Sequence, residues 1–407
     1  MQPLEIKRKE SEEIRKIHGW MILFGRRKVG KTYLLKHFLK YDAYLLVRRD
    51  GTVITENIPE ERIEDLNLLN RIVKDLLAKG KTVVIDEYQR LPHSFFDELS
   101  TSHPKGKIIL SGSVVSTIHK FFGTGSPLLG MLAEYKLGLL APDDALRQLK
   151  GLKEHSIEYA AFIRDPWLVP NFSYTEITED LYYAVTRFKN AVPRLIGETF
   201  QEENRELTKT YEAIIREVGA GYRRSAEIAH ILSNKKIIKK DDARLIHPFL
   251  KNLVAMDLFE EVPVFLGRGY HYRIKSPIIE LFYYLADRHN IEEREAPFSE
   301  VKENVQKIRN FAVQNFVGDF FADGLEGNKE ISIIPEIDFI ITKGRKRDPV
   351  LAGEVKWGSW KKDDVIAFSE KVKQLKCRKV FFVKEKMPIE VPGIEILDWK
   401  DLLTIIS

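Results

Sequence analysis

The chain has a single cysteine, Cys377, among its 407 residues. One thiol cannot form an internal disulfide, and it cannot supply a thiolate zinc site. The sequence also has no apolar run approaching the roughly 20 residues that cross a bilayer, and its first residues lack the apolar core of an export signal. These absences exclude a disulfide-stabilised scaffold, and they predict a cytoplasmic protein with no membrane partner.

Neither positive nor negative charge dominates the composition. The formal net charge is only +5, although charged residues make up 31% of the chain. The whole chain is therefore not a polycation, and its local basic clusters, such as residues 235–240 and 343–347, are more often solvated surface than nucleic-acid contacts. The abundance of Lys, Arg and Glu fits the surface ion-pair networks of a thermophile. The length predicts about two to four domains.

Residues 20–32 join a short apolar run, the pattern G-x-x-x-x-G-K-T and the start of a helical segment. In this strand–loop–helix order the pattern predicts a phosphate-binding loop, in which glycines let backbone N–H groups approach the phosphates. An ordinary turn with two glycines is the less favoured alternative. We expect Lys31 to contact the β- and γ-phosphates and the Thr32 hydroxyl to bind Mg²⁺. The expected nucleotide contacts are Gly25, Arg26, Arg27, Lys28, Val29, Gly30, Lys31 and Thr32.

A second apolar run, residues 82–87, ends in Asp86 and Glu87. A buried strand tolerates two carboxylates only at its C-terminal end, which in a parallel sheet lies beside the phosphate loop. We expect Asp86 to bind or support Mg²⁺ and Glu87 to act as the base that orients the attacking water, the alternative being a solvated strand end. Ser113, or less readily Ser111, would hydrogen-bond the γ-phosphate or the water, although Ser-Gly-Ser is also ordinary turn chemistry.

Strand-like and helical segments alternate up to about residue 140, which predicts an α/β fold with a parallel sheet covered on both faces. The expected strands are 20–24, 43–48, 82–86, 107–112 and 134–139, and the expected helices lie near 31–41, 62–79 and 94–100. The pattern then becomes helical, and a helix–helix–hairpin order follows that is typical of a winged helix. The predicted domains are a P-loop ATPase core (1–141), a helical lid (142–204), a winged helix (205–275), a helical linker (276–300) and a final α/β domain (301–407).

A second set of charged residues lies near the C-terminus. Asp338 is on one apolar run, Glu354 and Lys356 are on the next, and a polar turn joins the two runs. Because side chains alternate along a strand, Glu354 and Lys356 share a face. Two carboxylates and a lysine are suited to a Mg²⁺ site that activates water against a phosphodiester. A cross-strand salt bridge at a sheet edge explains the spacing equally well.

These motifs together resemble the archaeal ATPase family, P-loop NTPases of the AAA+/STAND assemblage. The resemblance is carried by residues 25–32, 86–89, 110–113 and 123–127. The C-terminal third is similar to the DUF234 extension, whose fold resembles the PD-(D/E)XK nucleases. The resemblance implies a P-loop sheet ordered 5-1-4-3-2, a helical lid, a winged helix and a restriction-endonuclease-like end domain. It also implies that Pro193, which matches the proline of the family's Gly-Gly-x-Pro element, contacts the nucleotide.

The sequence departs from the family pattern around the nucleotide. Only the proline of the Gly-Gly-x-Pro element is kept, in Asn190–Pro193. Family members often have an arginine after the Gly-Ser-Pro loop, and none follows it here. Arg194, Arg223 and Arg224 are weak substitutes for it. Because loss of an arginine finger slows hydrolysis by about 10³–10⁵-fold, slow turnover is expected.

A further departure concerns the end domain. PD-(D/E)XK enzymes usually place a glutamate on their first helix, and this position aligns near Gln314–Asn315. Asp319 or Glu303 is the alternative carboxylate. One carboxylate of the usual nuclease set is therefore missing from its expected position.

Three interpretations of function follow. The leading one is an ATP-binding, Mg²⁺-dependent ATP-hydrolysing switch, coupled to DNA binding or processing through the winged helix and the nuclease-like domain. The second is a signalling or regulatory ATPase whose winged helix and inactive nuclease-like domain dock a protein partner or a second copy of the chain. The third is a regulator that reads a DNA site through residues 241–256, which the acids Asp241 and Asp242 disfavour.

Overall fold

The computed structural model describes residues 4–101, 105–113, 128, 130–203 and 205–406. The loop 123–127 used in the family resemblance lies outside these residues. The chain divides into two compact units. The N-terminal unit consists of Lys7–Leu139 and Leu195–Glu206, and the C-terminal unit consists of Met1–Ile6, Leu140–Arg194 and Leu207–Ser407.

The N-terminal unit is an α/β domain built around a seven-stranded sheet. Its strands are β1 (Trp20–Phe24), β2 (Ala43–Val47), β3 (Val53–Glu56), β4 (Arg62–Ile63), β5 (Thr82–Asp86), β6 (Lys107–Gly112) and β7 (Leu132–Lys136). Its helices include α1 (Glu10–Lys16), α2 (Lys31–Phe38), α3 (Leu66–Ala78) and α4 (His93–Ser100). Strand β1 is buried at every position, which explains its uninterrupted apolar sequence.

The strand order of this sheet is β4-β3-β2-β5-β6-β1-β7. It differs from the expected order 5-1-4-3-2, because two strands that the sequence analysis did not place extend the sheet beyond β2. The five expected strands follow one another as β7-β1-β6-β5-β2. Strands β3 and β4 are antiparallel to their neighbours, whereas the other described pairings are parallel. The sheet is therefore mixed and mostly parallel.

Helices cover both faces of this sheet, as the strand–helix alternation predicts. On one face Val73 and Leu77 of α3 and Phe95 of α4 join the apolar cluster formed by alternate strand residues. On the other face Ile14 of α1 and Leu34 of α2 pack against the intervening strand residues. The two-sided burial fixes the strand ends, and so it positions the loops that follow them.

The C-terminal unit contains most of the remaining elements. Its helices are α5 (Pro142–Arg147), α6 (Ser156–Ile163), α7 (Ile177–Arg187), the start of α8 (Ala191–Glu202), α9 (Lys209–Ala220), α10 (Ser225–Asn234), α11 (His247–Ala255), α12 (Pro277–His289), α13 (Phe298–Gly324), α14 (Lys362–Val372) and α15 (Trp399–Ile405). Its strands are β8 (Phe259–Pro263), β9 (Tyr270–Ile274), β10 (Asn328–Ile333), β11 (Glu336–Lys343), β12 (Asp348–Lys356), β13 (Arg378–Val383) and β14 (Glu395–Leu397).

Within this unit, α9, α10 and α11 are followed by the antiparallel hairpin β8–β9. A single bridge between Arg224 and His271 adds the segment before α10 to the hairpin. The segment 241–256, which the third interpretation assigns to DNA reading, is α-helical only from His247, because Asp242 caps a separate 3-10 turn at Ala243–Leu245. Helix α12 ends at His289, where Asn290 adopts a left-handed conformation, so the expected helical linker is only partly helical.

The last part of this unit is a five-stranded sheet ordered β10-β11-β12-β13-β14. Strands β10, β11 and β12 pair antiparallel, and β12, β13 and β14 pair parallel. Its core includes Phe368 of α14, Phe381 of β13 and Ile340 of β11. The parallel arrangement places the C-terminal ends of β12 and β13 at the same edge. In the described part of the chain, no helix is long and apolar enough to cross a membrane.

Candidate functional site

The nucleotide loop, residues 25–30, connects β1 to α2 and requires glycine at both ends. A Cβ atom on Gly25 would lie 2.1 Å from the carbonyl oxygen of Leu137, which leaves no room for any other residue. Gly30 is the N-cap of α2 and has φ +92°, a left-handed conformation that glycine adopts without steric penalty. These two positions allow the backbone to turn directly into the helix N-terminus.

Lys31 is the first residue of α2, and its side chain folds back over the loop. Its Nζ donates hydrogen bonds to the carbonyl oxygens of Gly25, at 2.6 Å, and Arg26, at 3.0 Å. The ammonium group is buried in this position. The loop therefore holds a cation at its centre, where the phosphates of a nucleotide are expected.

Thr32 and Asp86 meet directly, although 54 residues separate them in sequence. The Thr32 hydroxyl donates to Asp86 Oδ2 at 2.7 Å, and the Tyr44 hydroxyl donates to the same oxygen at 2.7 Å. Burial raises the pKa of Tyr44 well above its usual value, and the charge of Asp86 raises it further. Tyr44 therefore stays a neutral donor that orients the carboxylate. A hydroxyl and a carboxylate side by side form an oxygen donor set that suits Mg²⁺.

Glu87 follows β5 in a left-handed conformation, with φ +60°. Its Oε2 accepts a hydrogen bond from Gln89 Nε2 at 2.8 Å and pairs with Arg90 at 3.0 Å. These two neighbours fix the orientation of the carboxylate. A left-handed glutamate is uncommon, and such backbone strain concentrates at functional sites.

Ser111 and Ser113 lie at the C-terminal end of β6, beside β5. Both are buried, and within the described ranges neither hydroxyl has a hydrogen-bond partner. The carbonyl oxygen of the Gln89 side chain is in the same situation. Buried polar atoms without partners are rare in folded proteins, so this strand end is suited to a polar ligand or water.

Some contacts of the nucleotide loop could not be predicted from the sequence. Arg8 is almost fully buried, and its guanidinium donates to the carbonyl oxygen of Val29 at 2.7 Å and to that of Gly138 at 3.0 Å. Arg8 therefore connects the nucleotide loop to the segment after β7 by hydrogen bonds. No local motif predicts this contact, because more than 100 residues separate Arg8 from Gly138.

The nucleotide loop also contacts α8. Arg27 forms an ion pair with Glu198, and Arg49 approaches the same carboxylate at 3.7 Å. Pro193 lies in the first turn of this helix. The remaining expected contacts, Lys28 and Val29, lie within the loop itself. The nucleotide roles of these residues stay predictions.

The second predicted site lies on β11 and β12. The register pairs Phe339 with Gly353, which places Asp338 beside Glu354. The backbone N–H of Val355 donates to Asp338 Oδ2 at 2.8 Å. Burial, together with the neighbouring Glu354, raises the pKa of Asp338 to about 7.

Two lysines contact Glu354. Lys356 lies 3.3 Å from Oε1, and Lys371 of α14 lies 2.8 Å from Oε2. Sequence reasoning missed Lys371, because it comes from a helix packed on the sheet. Glu354 is therefore ion-paired, but not by the expected cross-strand bridge at a sheet edge, since β12 is the central strand and neither lysine lies on a neighbouring strand. The proximity of Asp338 also leaves room for metal chemistry. Among the described residues there is no group of three or more His, Cys, Asp and Glu placed to hold a metal ion.

The alternative carboxylates on α13 do not supply a third acidic group. Asp319 is engaged by Arg164 at 2.5 Å, by Arg273 at 3.2 Å and by Lys329. Glu303 is exposed on the helix surface. The Glu354 site therefore has two carboxylates and two lysines.

The fold and the loop define a P-loop domain of the α/β class. Residues 18–140 match the family described as AAA domain. This part of the chain is therefore similar to AAA domains. The match covers less than half of the chain, so the similarity concerns the N-terminal part and not the whole protein. A search of the curated proteins finds no match.

Three solved structures align with this chain at low TM-scores. The ORC2 protein of Aeropyrum pernix in its ADPNP–ADP complexes is 13% identical over 78% of this chain and 96% of that chain, with a TM-score of 0.37. The ORC1 protein of the same organism in complex with DNA is 11% identical over 72% and 95%, with a TM-score of 0.30. A STAND protein from Pyrococcus horikoshii is 14% identical over 79% and 49%, with a TM-score of 0.29. Scores this low carry no argument about function.

Proposed function

We propose that the chain binds ATP and hydrolyses it with Mg²⁺, and that this reaction is a switch coupled to DNA binding or processing. One observation carries the ATPase part of the proposal. The Thr32 hydroxyl and the Asp86 carboxylate lie 2.7 Å apart, at the junction of the nucleotide loop and β5. The Mg²⁺ ligands of a P-loop NTPase come from these two elements.

Each residue of the site has a separate role in hydrolysis. Lys31 exchanges its contacts with Gly25 and Arg26 for the phosphate oxygens and neutralises charge that develops on them. Thr32 and Asp86 would hold Mg²⁺, which would neutralise further charge between the phosphates. Glu87 accepts a proton from, or orients, the water that attacks the γ-phosphorus, and the bond to the leaving ADP oxygen breaks.

Ser113 is the candidate that reports the state of the γ-phosphate. Its buried hydroxyl has no partner within the described ranges, and it lies at the end of β6 beside the Asp86 strand. A phosphate oxygen or the attacking water would satisfy this hydroxyl. Loss of that contact after hydrolysis would distinguish the ATP state from the ADP state.

Slow turnover suits a switch. Arg223, one substitute for the arginine that the Gly-Ser-Pro loop lacks, forms an ion pair with Glu280, and Arg224 approaches Glu227 at 3.7 Å. Each arginine therefore already has a glutamate partner, so neither is a free cation that could act as an arginine finger. A reaction without an arginine finger loses about 10³–10⁵-fold in rate.

The proposed coupling to DNA depends on the C-terminal unit. Helices α9 to α11 and the hairpin β8–β9 have the element order of a winged helix, and the Arg224–His271 bridge supports this interpretation. The order α13, β10, β11, β12, α14, β13 is consistent with a nuclease-like domain, and Asp338, Glu354 and Lys356 are its candidate residues. The close approach of Asp338 and Glu354 favours retention of a site for DNA processing.

The alternative is a regulatory ATPase in which these modules dock a protein partner or another copy of the chain. The pairing of Glu354 with two lysines favours this alternative, because it occupies one of only two carboxylates. Sequence-specific reading through α11 is disfavoured. The Arg244 side chain just before this helix is bound to Asp242 at 2.7 Å.

One experiment separates the leading proposal from the alternative. Supercoiled plasmid is incubated with the full chain and Mg²⁺ or Mn²⁺, with and without ATP, beside Glu354→Ala. The exposed Glu370→Ala variant is the matched control. Nicking that Glu354→Ala loses and Glu370→Ala keeps supports an ATP-regulated nuclease. Intact plasmid, together with ATP hydrolysis, contradicts the nuclease and supports docking.

A further inference from the structure

A surface cleft of about 480 Å³ lies in the C-terminal unit, away from both predicted sites. Three segments form its walls, and each is a turn or a helix start. They are the β8–β9 turn over 264–270, the first residues of α10 over 224–226, and the β10–β11 turn over 332–334. No residue of the nucleotide loop or of the Glu354 site contributes to it.

Apolar side chains at this cleft are unusually exposed. Leu266 is 87% exposed, Ile334 is 91% exposed and Tyr270 is 44% exposed. A single exposed apolar side chain needs no explanation, but these three belong to one cleft, which Val264 and Phe265 also line. Clustered exposed apolar groups mark surfaces that another molecule covers.

Neither packing nor backbone preference explains Leu266. Its side chain is almost fully exposed, and its φ is +52°, a left-handed conformation that glycine or asparagine adopts more readily. A glycine already occupies the next position of the turn, so the chain has flexible residues available here. An exposed leucine held in an unfavourable conformation indicates a role outside the fold itself.

The charge of the cleft is positive. Arg268 and Arg224 line it, Arg224 with Glu227 at 3.7 Å, and the lining itself contains no aspartate or glutamate. Among the residues that the structure describes, Arg268 forms no ion pair. The nearby Glu330 of β10 is buried and bound to Arg347, with 2.7 Å between its Oε1 and Arg347 Nε. A ligand that fits the cleft therefore brings negative charge as well as apolar groups.

The backbone adds a third property. Strand β10 is the edge of its sheet, and Phe265 N–H donates to the carbonyl oxygen of Ile331 at 2.7 Å. Phe265 therefore already pairs with the edge strand at Ile331. Strand β10 continues along the cleft to Ile333. An edge strand with adjacent apolar pockets is suited to the addition of an extended peptide.

We propose that this cleft binds an extended segment of a partner protein that carries aliphatic side chains and at least one carboxylate. The aliphatic groups cover Leu266 and Ile334, and the carboxylate pairs with Arg268. A nucleic acid is disfavoured as occupant, because two almost fully exposed aliphatic side chains offer nothing to a phosphate backbone. The inference is independent of ATP hydrolysis.

A selection with a random peptide library tests the proposal. The displayed library is selected on the full chain and counter-selected on the Leu266→Gly/Arg268→Glu double variant. Peptides that combine aspartate or glutamate with aliphatic residues are expected to be enriched. One enriched peptide is then labelled and its Kd is measured by fluorescence anisotropy. Enrichment of basic peptides overturns the proposal, and so does a selection in which no peptide remains after counter-selection on the double variant.

Single variants show which side chains of the cleft the peptide depends on. Leu266→Gly keeps the turn folded because glycine relieves its conformation, and it is expected to raise the peptide Kd at least about tenfold. Arg268→Glu is expected to have the same effect. Leu245→Ser removes an exposed leucine outside the cleft and leaves Kd unchanged. Equal affinity in all variants, or Leu266-dependent binding of an oligonucleotide that displaces the peptide, contradicts the proposal.

Discussion

Gly25 is the residue at which the nucleotide loop leaves the least room. A Gly25→Ala change places a methyl group 2.1 Å from the Leu137 carbonyl oxygen, so the loop must move away from the segment after β7. We expect the free energy of unfolding to fall by about 1–3 kcal/mol and nucleotide affinity to be lost. Chemical denaturation and binding of a fluorescent ATP analogue measure both. Gly138→Ala is the control, since nothing lies within 4 Å of its Cβ position.

The proposed base gives a second prediction at this scale. Glu87→Gln keeps the shape of the side chain and removes its basicity, so the protein is expected to bind ATP but to release phosphate about 10²–10⁴-fold more slowly. Bound nucleotide after gel filtration, together with single-turnover phosphate release, measures the two effects. A normal rate of ATP hydrolysis in this variant would show that Glu87 is not the base.

At the scale of elements, a buried ion cluster connects the parts of the C-terminal unit. Asp319 of α13 contacts Arg164 after α6, Arg273 of β9 and Lys329 of β10. Burial alone would raise the pKa of Asp319, but Lys329, Arg273 and Arg164 hold it well below its usual value. The carboxylate therefore stays charged and balances three cations.

Removal of this carboxylate is expected to destabilise the unit. Asp319→Ala removes a carboxylate from three largely buried cations, of which Arg273 and Lys329 keep Glu260 as a second partner, so we expect the free energy of unfolding to fall by about 3 kcal/mol. Urea denaturation of the variant measures the loss. Asp323→Ala, on the same helix, is the comparison. Unchanged stability combined with lost DNA cleavage would instead make Asp319 a member of the Glu354 site.

The hairpin β8–β9 predicts a pH dependence. Burial, together with the charges of Arg223 and Arg224, lowers the pKa of His271 from 6.5 to about 4. As the pH falls below 6.5, the unfolded chain takes up a proton that the folded chain refuses until about pH 4. Stability contributed by the neutral imidazole is present above pH 6.5 and is lost by about 2–3 kcal/mol toward pH 4.

Denaturation curves between pH 7 and pH 4 test this expectation. The free energy of unfolding of the native chain should decrease over this window, and His271→Gln should reduce the slope because it cannot titrate. His230→Gln on α10 is the matched control, since this exposed histidine pairs with Asp241. Equal slopes in all three proteins would show that His271 does not titrate as described.

Local sequence signals predicted some elements and missed others. The runs that became β1, β5 and β6 are apolar and buried, so their pattern was strong. Strands β3 and β4 are short and lie at the sheet edge, where half-exposed residues give a weak pattern. The Thr32–Asp86 pair followed from two motifs. Long-range contacts such as those of Arg8 arise only from the folded chain and carry no sequence signal.

At the scale of the whole molecule, the two predicted sites should be separable. The Asp338→Ala/Glu354→Ala variant is expected to keep ATP hydrolysis, because neither residue belongs to the N-terminal unit. It should lose any metal-dependent nicking of plasmid DNA. Nicking that persists in the variant would place the nuclease site elsewhere or identify a contaminant.

The most direct test of the account is phosphate release from ATP by the purified full chain, with Mg²⁺ and with excess chelator. The account predicts slow, Mg²⁺-dependent release that Lys31→Ala abolishes together with nucleotide binding. Lys40→Ala, which removes an exposed lysine just after α2, should retain both. Phosphate release that continues in Lys31→Ala, or that does not need Mg²⁺, would contradict an ATPase centred on the nucleotide loop.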